Sequence, residues 1–364
     1  MKIIVACDSF KGSLTSDEVN EACRLGIRDV MPQSRVYCIS IADGGEGTTA
    51  AIAKCCPCGR WEKVKVCNPI GDIIDAEYYV LPDSRIAVIE TAAAAGLTII
   101  SEEYRNPLYT DSYGLGMMMA DAVGKGCRKL IIGLGGSATN DAGVGMLMAL
   151  GYRFIDYGGK PICRRGGIAL GDIAGISHIP DFIHDIEICC LCDVTNPLLG
   201  NNGATKVFGP QKGADAELLR ILENGMTNYA KLLDHTVLTT PGAGAAGGIG
   251  ASLLNFFNTE LRPGIDVILD LADFSSISSD ADLIITGEGR IDRSSLMGKT
   301  VSGILRQSGN IPVVAIGGTV DNTADLSPLK TTIAVTPLDM PLCEAMKPEV
   351  AKANIRATVA RMLA

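Results

Sequence analysis

The segment that most constrains the fold is 130–150, LIIGLGGSATNDAGVGMLMAL. It begins with an apolar run typical of a buried strand, crosses a polar loop rich in glycine, and continues as a helical pattern with small residues on one face. Glycine lets the backbone come close to a ligand, and a loop that leads into a helix N-terminus favours an anion. The segment therefore predicts a strand, a loop and a helix with an anion site, or a strand-to-helix turn without one.

The N-terminal part of the chain repeats this arrangement. Residues 2–7 and 36–41 are apolar strand patterns, and each is followed by a polar loop and then by a helix pattern. Consecutive units of this kind predict a parallel sheet with right-handed crossovers, and such sheets bind ligands beyond the carboxyl ends of their strands. The loop residues that fall there are Asp8, Ser9, Lys11, Asp43, Gly44 and Glu46.

The middle of the chain has a different pattern. Three short strand patterns, at 62–67, 74–80 and 85–90, are separated by turn residues, as is typical of an antiparallel meander. Strand, loop and helix patterns return from about Asp266. We therefore predict an α/β protein in which both termini build one domain and the middle of the chain is inserted as a second.

Two domains are also what a length of 364 residues leads us to expect. The first is a Rossmann-like parallel-sheet α/β domain that is discontinuous and comprises 1–60 and 266–364. The second is a mixed α/β domain that comprises the inserted residues 61–265. Because polar loops follow strand patterns in both parts, we predict that the active site lies in the cleft between the two domains.

The composition limits the kinds of partner. The net charge is −9, from 32 basic and 41 acidic residues, which argues against nucleic acid and against an anionic membrane surface. No apolar run approaches the roughly 20 residues of a membrane helix. The 13 scattered cysteines show no zinc-ligand spacing with the histidines, so they predict free thiols in a reducing cytoplasm. Nothing in the sequence indicates an oligomer.

Polar loops also recur in the second half of the chain. Asp193 follows a buried strand pattern, and the tract 242–250 is the segment richest in glycine. Glu288 and Asp292 follow another strand pattern. The glycine tract indicates either a flexible linker or, because its continuation is apolar, close backbone packing or the approach of a phosphate.

The loops favour one kind of chemistry. The Gly-Lys-Thr at 298–300 lacks the preceding glycine of a P-loop, because position 293 is arginine. The sequence has no credible Ser-His-Asp or Cys-His set. Glycine loops interleaved with carboxylates are what phosphoryl transfer with Mg²⁺ requires, and this is the reaction class that the pattern predicts.

Six of the loop motifs resemble a known family. In chain order they are DSFKGSLTS (8–16), ADGGEGT (42–48), GLGGSATNDAGVGMLMALG (133–151), CDVTNPLLG (192–200), GAGAAGGIG (242–250) and DLIITGEGRIDRSSLMGKT (282–300). Together they resemble the bacterial class I glycerate kinases from Lys2 to about Gly318. The resemblance implies phosphorylation of D-glycerate by ATP with Mg²⁺, at the 2-hydroxyl, to give 2-phosphoglycerate and ADP.

Positions at strand ends suggest individual roles. Asp193 is the leading candidate for the catalytic base or a metal ligand, and Asp43 is the alternative. Lys11 is the candidate that binds the glycerate carboxylate or the transferred phosphoryl group, and Glu288 is the second candidate metal ligand. The predicted substrate contacts are Asp8, Ser9, Lys11, Gly44, Glu46, Asn140 and Asp141. The predicted ATP contacts are Gly135, Gly136, Ser137, Gly247, Gly248, Glu288, Asp292 and Lys299.

Two other functions fit the same loops. The first is a kinase for another small hydroxy acid or sugar acid, which would differ only in its pocket residues. The second is a two-domain protein that binds an organic acid without catalysis, which would explain the glycines and a cleft but not the many carboxylates.

Overall fold

The structure is a computed structural model that describes residues 1–42, 44–82, 84–296, 300–321, 323–327 and 329–364. Two of the predicted site residues, Asp43 and Lys299, lie outside the described residues, so the roles suggested for them stay predictions. The chain forms two compact units. Unit one comprises Met1–Asp43, Ala50–Cys56 and Pro263–Ala364, and unit two comprises Gly44–Thr49 and Pro57–Arg262.

The strands alternate with helices along most of the chain. The strands are β1 (Lys2–Cys7), β2 (Arg35–Cys38), β3 (Arg60–Cys67), β4 (Ile73–Val80), β5 (Ile86–Glu90), β6 (Lys129–Gly133), β7 (Arg153–Ile155), β8 (Gly175–His178), β9 (Glu187–Leu191), β10 (Asn258–Arg262), β11 (Leu283–Ile291), β12 (Val313–Val320) and β13 (Thr331–Ala334).

The helices differ widely in length. They are α1 (Ser16–Val30), α2 (Thr48–Cys55), α3 (Ala92–Ala95), α4 (Tyr113–Gly124), α5 (Val144–Ala149), α6 (Ala204–Phe208), α7 (Ala216–Tyr229), α8 (His235–Thr239), α9 (Ala245–Phe256), α10 (Gly264–Leu271), α11 (Phe274–Ser278), α12 (Thr300–Gln307), α13 (Leu342–Ala345) and α14 (Pro348–Leu363). Of those that the structure describes, none combines the length and apolar character needed to cross a membrane.

Unit one contains a five-stranded sheet in which every neighbouring pair is parallel. The strand order is β13-β12-β11-β1-β2. Numbered within the unit, this is the flavodoxin-like order 2-1-3-4-5, whose switch point lies between the first and third strands, here β1 and β11. The predicted parallel α/β architecture is therefore confirmed, and unit one places the loops after β1 and β11 side by side.

A capping box, which the Thr15 and Glu18 spacing of the sequence indicates, is present at the start of α1. The Glu18 amide donates to Oγ1 of Thr15 at 3.4 Å, and the Thr15 amide donates to Oε2 of Glu18 at 3.0 Å. Each side chain thereby satisfies a backbone N–H that has no partner within the helix. The box therefore determines where the chain turns from the loop after β1 into α1.

Unit two contains a six-stranded mixed sheet of order β10-β9-β6-β5-β4-β3. The β3–β4 and β4–β5 pairs are antiparallel, as the meander pattern predicts. The β5–β6, β6–β9 and β9–β10 pairs are parallel. A separate antiparallel pair is formed by β7 and β8. The four parallel strands end at one edge, and the loops that follow them are the subject of the next subsection.

The helices α4 and α5 pack closely beside this sheet, and glycine makes the close contact possible. A Cβ atom built at Gly116, within α4, would lie 2.2 Å from the Met146 carbonyl oxygen and 2.7 Å from Cβ of Ala149, both in α5. Gly124, at the end of the same helix, has no atom within 4 Å of such a Cβ. Substitutions at the two positions therefore distinguish the effect of close packing, present only at Gly116, from the effect of glycine on helix propensity, present at both.

We expect Gly116→Ala to lower the free energy of unfolding by about 1–3 kcal/mol, because the methyl group would force α4 away from α5. The matched variant Gly124→Ala is expected to be neutral or stabilising by up to about 1 kcal/mol, since alanine is the better helix former. Urea unfolding followed by circular dichroism measures both. Equal effects of the two substitutions would contradict the close contact at Gly116.

Candidate functional site

The carboxyl ends of β5, β6 and β9 lie side by side in unit two. Glu90, the last residue of β5, pairs with Gly133, and Gly133 pairs with Leu191, the last residue of β9. The loops that begin at Thr91, Leu134 and Cys192 therefore leave the sheet at the same edge. Ligands bind at such edges because the loops there present backbone and side-chain groups that the strands no longer use.

The segment Gly44–Thr49 lies against this same edge. The Gly135 amide donates to the Gly44 carbonyl oxygen at 3.2 Å. A Cβ atom at Gly135 would lie 2.5 Å from Cα of Gly45, and one at Gly133 would lie 2.8 Å from the Gly44 oxygen. Two glycine loops from distant parts of the chain thus touch backbone to backbone, which no larger residue would permit.

Glu90 holds this segment in place. Its carboxylate accepts hydrogen bonds from the Thr49 amide at 2.6 Å and from the Gly47 amide at 3.3 Å. Burial raises the pKa of Glu90, and the two amide donors work against that rise by stabilising the charged form. A carboxylate at the end of β5 therefore caps the start of α2, where the backbone amides have no other helical partner.

The carboxylate of Asp141 occupies the start of α5. It accepts hydrogen bonds from the Gly143 amide at 3.1 Å, the Gly145 amide at 3.1 Å, the Ser112 amide at 2.9 Å and the Ser112 hydroxyl at 2.8 Å. The Ser112 hydroxyl also receives the Met146 amide at 3.0 Å. The first amides of α5, a helix of six residues, therefore bind the protein's own side chains, and the anion site expected in this segment stays a prediction for the loop that precedes the helix.

A second buried carboxyl group, that of Asp111, lies beside Asp141. Asp111 accepts the Tyr113 amide at 2.8 Å and forms an ion pair with Arg165 at 3.3 Å. The Arg165 guanidinium also stacks over the Tyr113 ring, 4.3 Å from its centroid. Burial, together with the charge of Asp141, raises the pKa of Asp111 to about 6. Arg165 therefore neutralises a carboxylate of the fold.

Lys212 is a site residue that the sequence pattern did not reveal. It is 2 % exposed, and its Nζ donates to Oγ of Ser137 at 2.8 Å and to the Thr139 carbonyl oxygen at 2.7 Å. Burial lowers the pKa of Lys212 to about 7, while the charge of Asp141 acts in the opposite direction. Its position between Gln211 and Gly213, in a turn with a proline, was the one available signal.

The glycine tract 242–250 packs against the loop between β6 and α5. The structure therefore confirms the close backbone packing that was one of the expectations for this tract. The Ala142 amide donates to the Gly247 oxygen at 3.0 Å, and a Cβ atom at Gly247 would lie 2.0 Å from the Thr139 oxygen. Gly247 and Gly248 have φ of +66° and +91°. The predicted contacts of these two glycines with ATP stay predictions.

In unit one, Asp8 follows β1 and Asp292 follows β11, whereas Glu288 lies within β11 and not in the loop after it as the sequence pattern predicts. Asp8 is 7 % exposed and accepts hydrogen bonds from the Ser9 amide at 2.6 Å and from Oγ1 of Thr300 at 3.2 Å. Asp292 accepts the Ser294 amide at 2.8 Å and pairs with Arg290 at 3.2 Å. The other predicted residues described here are Lys11, which is exposed, and Glu288, which is 8 % exposed.

The exposed members of the predicted set in unit two are few. Asp193, Glu46 and Gly136 are exposed, and Gly135 is half-buried. Ser137, Asn140 and Asp141 are buried and belong to the loop between β6 and α5, where Asn140 donates to Oγ1 of Thr205 at 3.1 Å. Within the ranges that the structure describes, no three His, Cys, Asp or Glu side chains are grouped so that they could hold a metal ion.

Comparison with known proteins identifies the class of this protein. The model of the glycerate kinase family matches residues 3–364. The chain is 44 % identical to glycerate kinase of Bacillus subtilis strain 168 over 333 residues, which cover 89 % of this chain and 87 % of the relative. It is 41 % identical to glycerate 2-kinase of Escherichia coli K12 over 328 residues, which cover 88 % of this chain and 86 % of that protein.

A solved structure agrees with these relatives. A crystal structure from Salmonella typhimurium LT2, described as a candidate glycerate kinase 2, superposes with a TM-score of 0.85 at 40 % identity and covers 100 % of this chain and 97 % of that one. The protein therefore belongs to the glycerate kinase family, and the resemblance seen in the six motifs is confirmed.

The stability of unit two should depend on the ionisation of Lys212. The pKa of Lys212 is about 7 in the folded protein, whereas a lysine in the unfolded chain titrates near pH 10.4. Between these values the unfolded chain binds a proton that the folded protein releases, so stability rises with pH.

We expect urea unfolding to show the wild type gaining about 2 kcal/mol relative to Lys212→Met between about pH 7 and about pH 9. Lys206→Met, which removes an exposed lysine whose Nζ is bonded to Asn201, should keep the dependence of the wild type. The same dependence in Lys212→Met and in the wild type would show that Lys212 is not buried.

Proposed function

We propose that this protein is an ATP-dependent D-glycerate kinase that phosphorylates the 2-hydroxyl and releases 2-phosphoglycerate and ADP. Membership of the glycerate kinase family over residues 3–364 supports the acceptor. The name of the Escherichia coli relative, glycerate 2-kinase, supports the 2-hydroxyl. The 13 cysteines, each of them a described residue, are not joined in disulfides, which supports a reducing cytoplasm.

The observation that carries the proposal is the glycine loop after β6 in unit two. Gly136 is exposed and has φ of +73°. Its carbonyl oxygen accepts a hydrogen bond from the Leu97 amide at 2.9 Å. The neighbouring Ser137 is bonded to a buried lysine. A backbone without side chains, supported from behind by a cation, suits the phosphates of ATP. We assign phosphate contacts to Gly135, Gly136 and Ser137, and further ATP contacts to Gly247, Gly248 and Lys299.

Asp193 is proposed as the base. Its side chain is exposed in the loop that follows β9, at the same sheet edge as the glycine loop. In the reaction the 2-hydroxyl oxygen of glycerate forms a bond to the γ-phosphorus, the bond from that phosphorus to the bridging oxygen breaks, and ADP leaves. The hydroxyl proton passes to the Asp193 carboxylate. Asp43 is the alternative candidate for the base.

Acceptor contacts are assigned to the polar residues that the sequence predicts, which are taken here one unit at a time. In unit one, Lys11 is exposed and is assigned to the glycerate carboxylate or the transferred phosphoryl group, with Asp8 and Ser9 beside it in the sequence. In unit two, Gly44 and Glu46 belong to the segment that Glu90 holds. Asn140 and Asp141 are fully buried, so we assign them to shaping the loop around the acceptor rather than to direct contact.

Mg²⁺ fits this set of residues as a partner of ATP. Magnesium in kinases is bound through one or two carboxylates together with phosphate oxygens, and it neutralises the charge that develops on them. The absence of a three-ligand group among the described residues is therefore compatible with a magnesium ion shared with ATP. Glu288 is the carboxylate that would hold it, Asp193 is the second candidate ligand if it does not act as the base, and Asp292 would bind the ATP ribose or the same ion.

The test is incubation of the protein with ATP, Mg²⁺ and D-glycerate, followed by phosphorus NMR of the products. We expect 2-phosphoglycerate and ADP in equal amounts. Asp193→Asn is the paired sample, and it should lower kcat by about 10²–10⁴-fold, because the substitution removes the proton acceptor and little volume.

Each other outcome corrects a stated part of the proposal. The 3-isomer would contradict the choice of hydroxyl and keep the kinase. ATP consumption only with other hydroxy acids would contradict the acceptor. Binding of glycerate without any consumption of ATP would indicate an organic-acid-binding protein. Near-normal kcat in Asp193→Asn would move the role of base away from this residue.

A further inference from the structure

Lys212 is a buried cation that the proposed reaction does not yet use. It ends the 3₁₀ turn Pro210–Lys212 that joins α6 to α7. Taking an ammonium group out of water is costly, so buried lysines are rare unless other groups compensate. The compensation here comes from the loop after β6, since Nζ is bonded to Ser137 and Thr139.

The turn that carries Lys212 is rigidly placed. Gly213 has φ of +96°, and a Cβ atom there would lie 2.1 Å from the Arg105 carbonyl oxygen. A Cβ atom at Gly209 would lie 2.4 Å from the Thr205 oxygen, and the Lys212 amide donates to the Gly209 oxygen at 3.0 Å. The backbone on both sides of the lysine is therefore closely packed, which fixes the point from which the side chain reaches the loop.

The loop lacks a complete set of hydrogen bonds of its own. Oγ1 of Thr139 and Oδ1 of Asn140 are buried without a hydrogen-bond partner in the part of the chain that the structure describes. Besides Lys212, one further side-chain bond joins the loop to the same region, from Asn140 to Thr205. The Leu97 amide bonds to Gly136, the Ala138 amide bonds to Ala95, and the Thr110 hydroxyl bonds to Ala138. The Lys212 side chain adds two bonds at Ser137 and Thr139, and in its protonated form these are charge-assisted and hence stronger than neutral ones.

We propose that Lys212 is a positioning residue that holds the backbone of residues 135–139 in the conformation that receives the ATP phosphates, an inference that rests on the proposed function. Lys212 acts through its hydrogen bonds to the Ser137 hydroxyl and the Thr139 carbonyl oxygen. A neutral side chain could fill the same space without the cost of burying charge, whereas a cation behind the loop also favours the negative charge of phosphates in front of it.

The charged group that faces this lysine is the carboxylate of Asp141, which is itself saturated by donors from α4 and α5. Lys212 therefore does not form a simple ion pair with this carboxylate. Its hydrogen bonds go to a hydroxyl and a carbonyl of the loop, so the protonated form, which predominates below about pH 7, adds a positive charge behind the loop.

The test compares Lys212→Met, which keeps the length and apolar stem but removes the donors, with Lys206→Met as the matched control. Lys206 lies six residues earlier and is exposed. In folded Lys212→Met we expect the KM for ATP to rise at least about tenfold, because two charge-assisted bonds that order the loop are lost. The KM for glycerate should change far less, and Lys206→Met should behave as the wild type.

Amide hydrogen exchange without any ligand supplies a measurement that does not depend on activity. Peptides that cover 134–143 should exchange faster in Lys212→Met, whereas those that cover β3 and β4 should not change. If the wild type proves inactive on glycerate but binds ATP, the Kd for ATP replaces KM, so a failure of the proposed function is separated from a failure of this inference.

Three results would overturn the inference. The first is an unchanged affinity for ATP in folded Lys212→Met. The second is unchanged exchange in the loop. The third is that neither Lys212→Met nor Lys212→Gln folds, which would make the lysine a support of the whole unit rather than of one loop. A wild type that does not bind ATP would remove the inference together with the proposed function.

Discussion

The architecture at the sheet edge of unit two depends on the hydrogen bonds of one carboxylate. Asp141 receives the amide and hydroxyl of Ser112 and the amides of Gly143 and Gly145, so it ties the start of α4 to the start of α5. Removal of this carboxylate would leave four buried donors without their acceptor, at a cost of about 1–3 kcal/mol for each group left unsatisfied. The loop between β6 and α5 can therefore be held closely against the sheet although its own side chains are small.

Close approach of backbones is the second constraint. Ala142 and Ala246 have φ of +52°, a conformation that alanine rarely adopts, and they lie in two segments joined by the bond from the Ala142 amide to Gly247. Strained backbone of this kind persists only where the surrounding contacts determine it. Together with Gly44 and Gly135, these segments form a sheet edge at which backbone packs on backbone, an arrangement that suits the proposed phosphate contacts.

The periodic parts of the fold could be predicted from the sequence, and the contacts between loops could not. The apolar run of β1, the capping box of Thr15 and Glu18, and the antiparallel meander are local patterns, so they were readable. Segment Gly44–Thr49 joins unit two through Glu90, which lies about forty residues away in the chain, and no local pattern reports such a bond. The same holds for Lys212, because a lysine between a glutamine and a glycine is ordinarily a residue of an exposed turn.

The central claim is that the glycine loop after β6 receives the ATP phosphates. Hydrogen exchange of the wild-type protein, measured with and without a non-hydrolysable ATP analogue and Mg²⁺, tests it most directly. The account predicts slower exchange in peptides that cover 133–143 when the analogue is bound. Protection restricted to the loops after β1 and β11 in unit one, with no change at 133–143, would contradict it and would place the phosphates at the switch point of the parallel sheet.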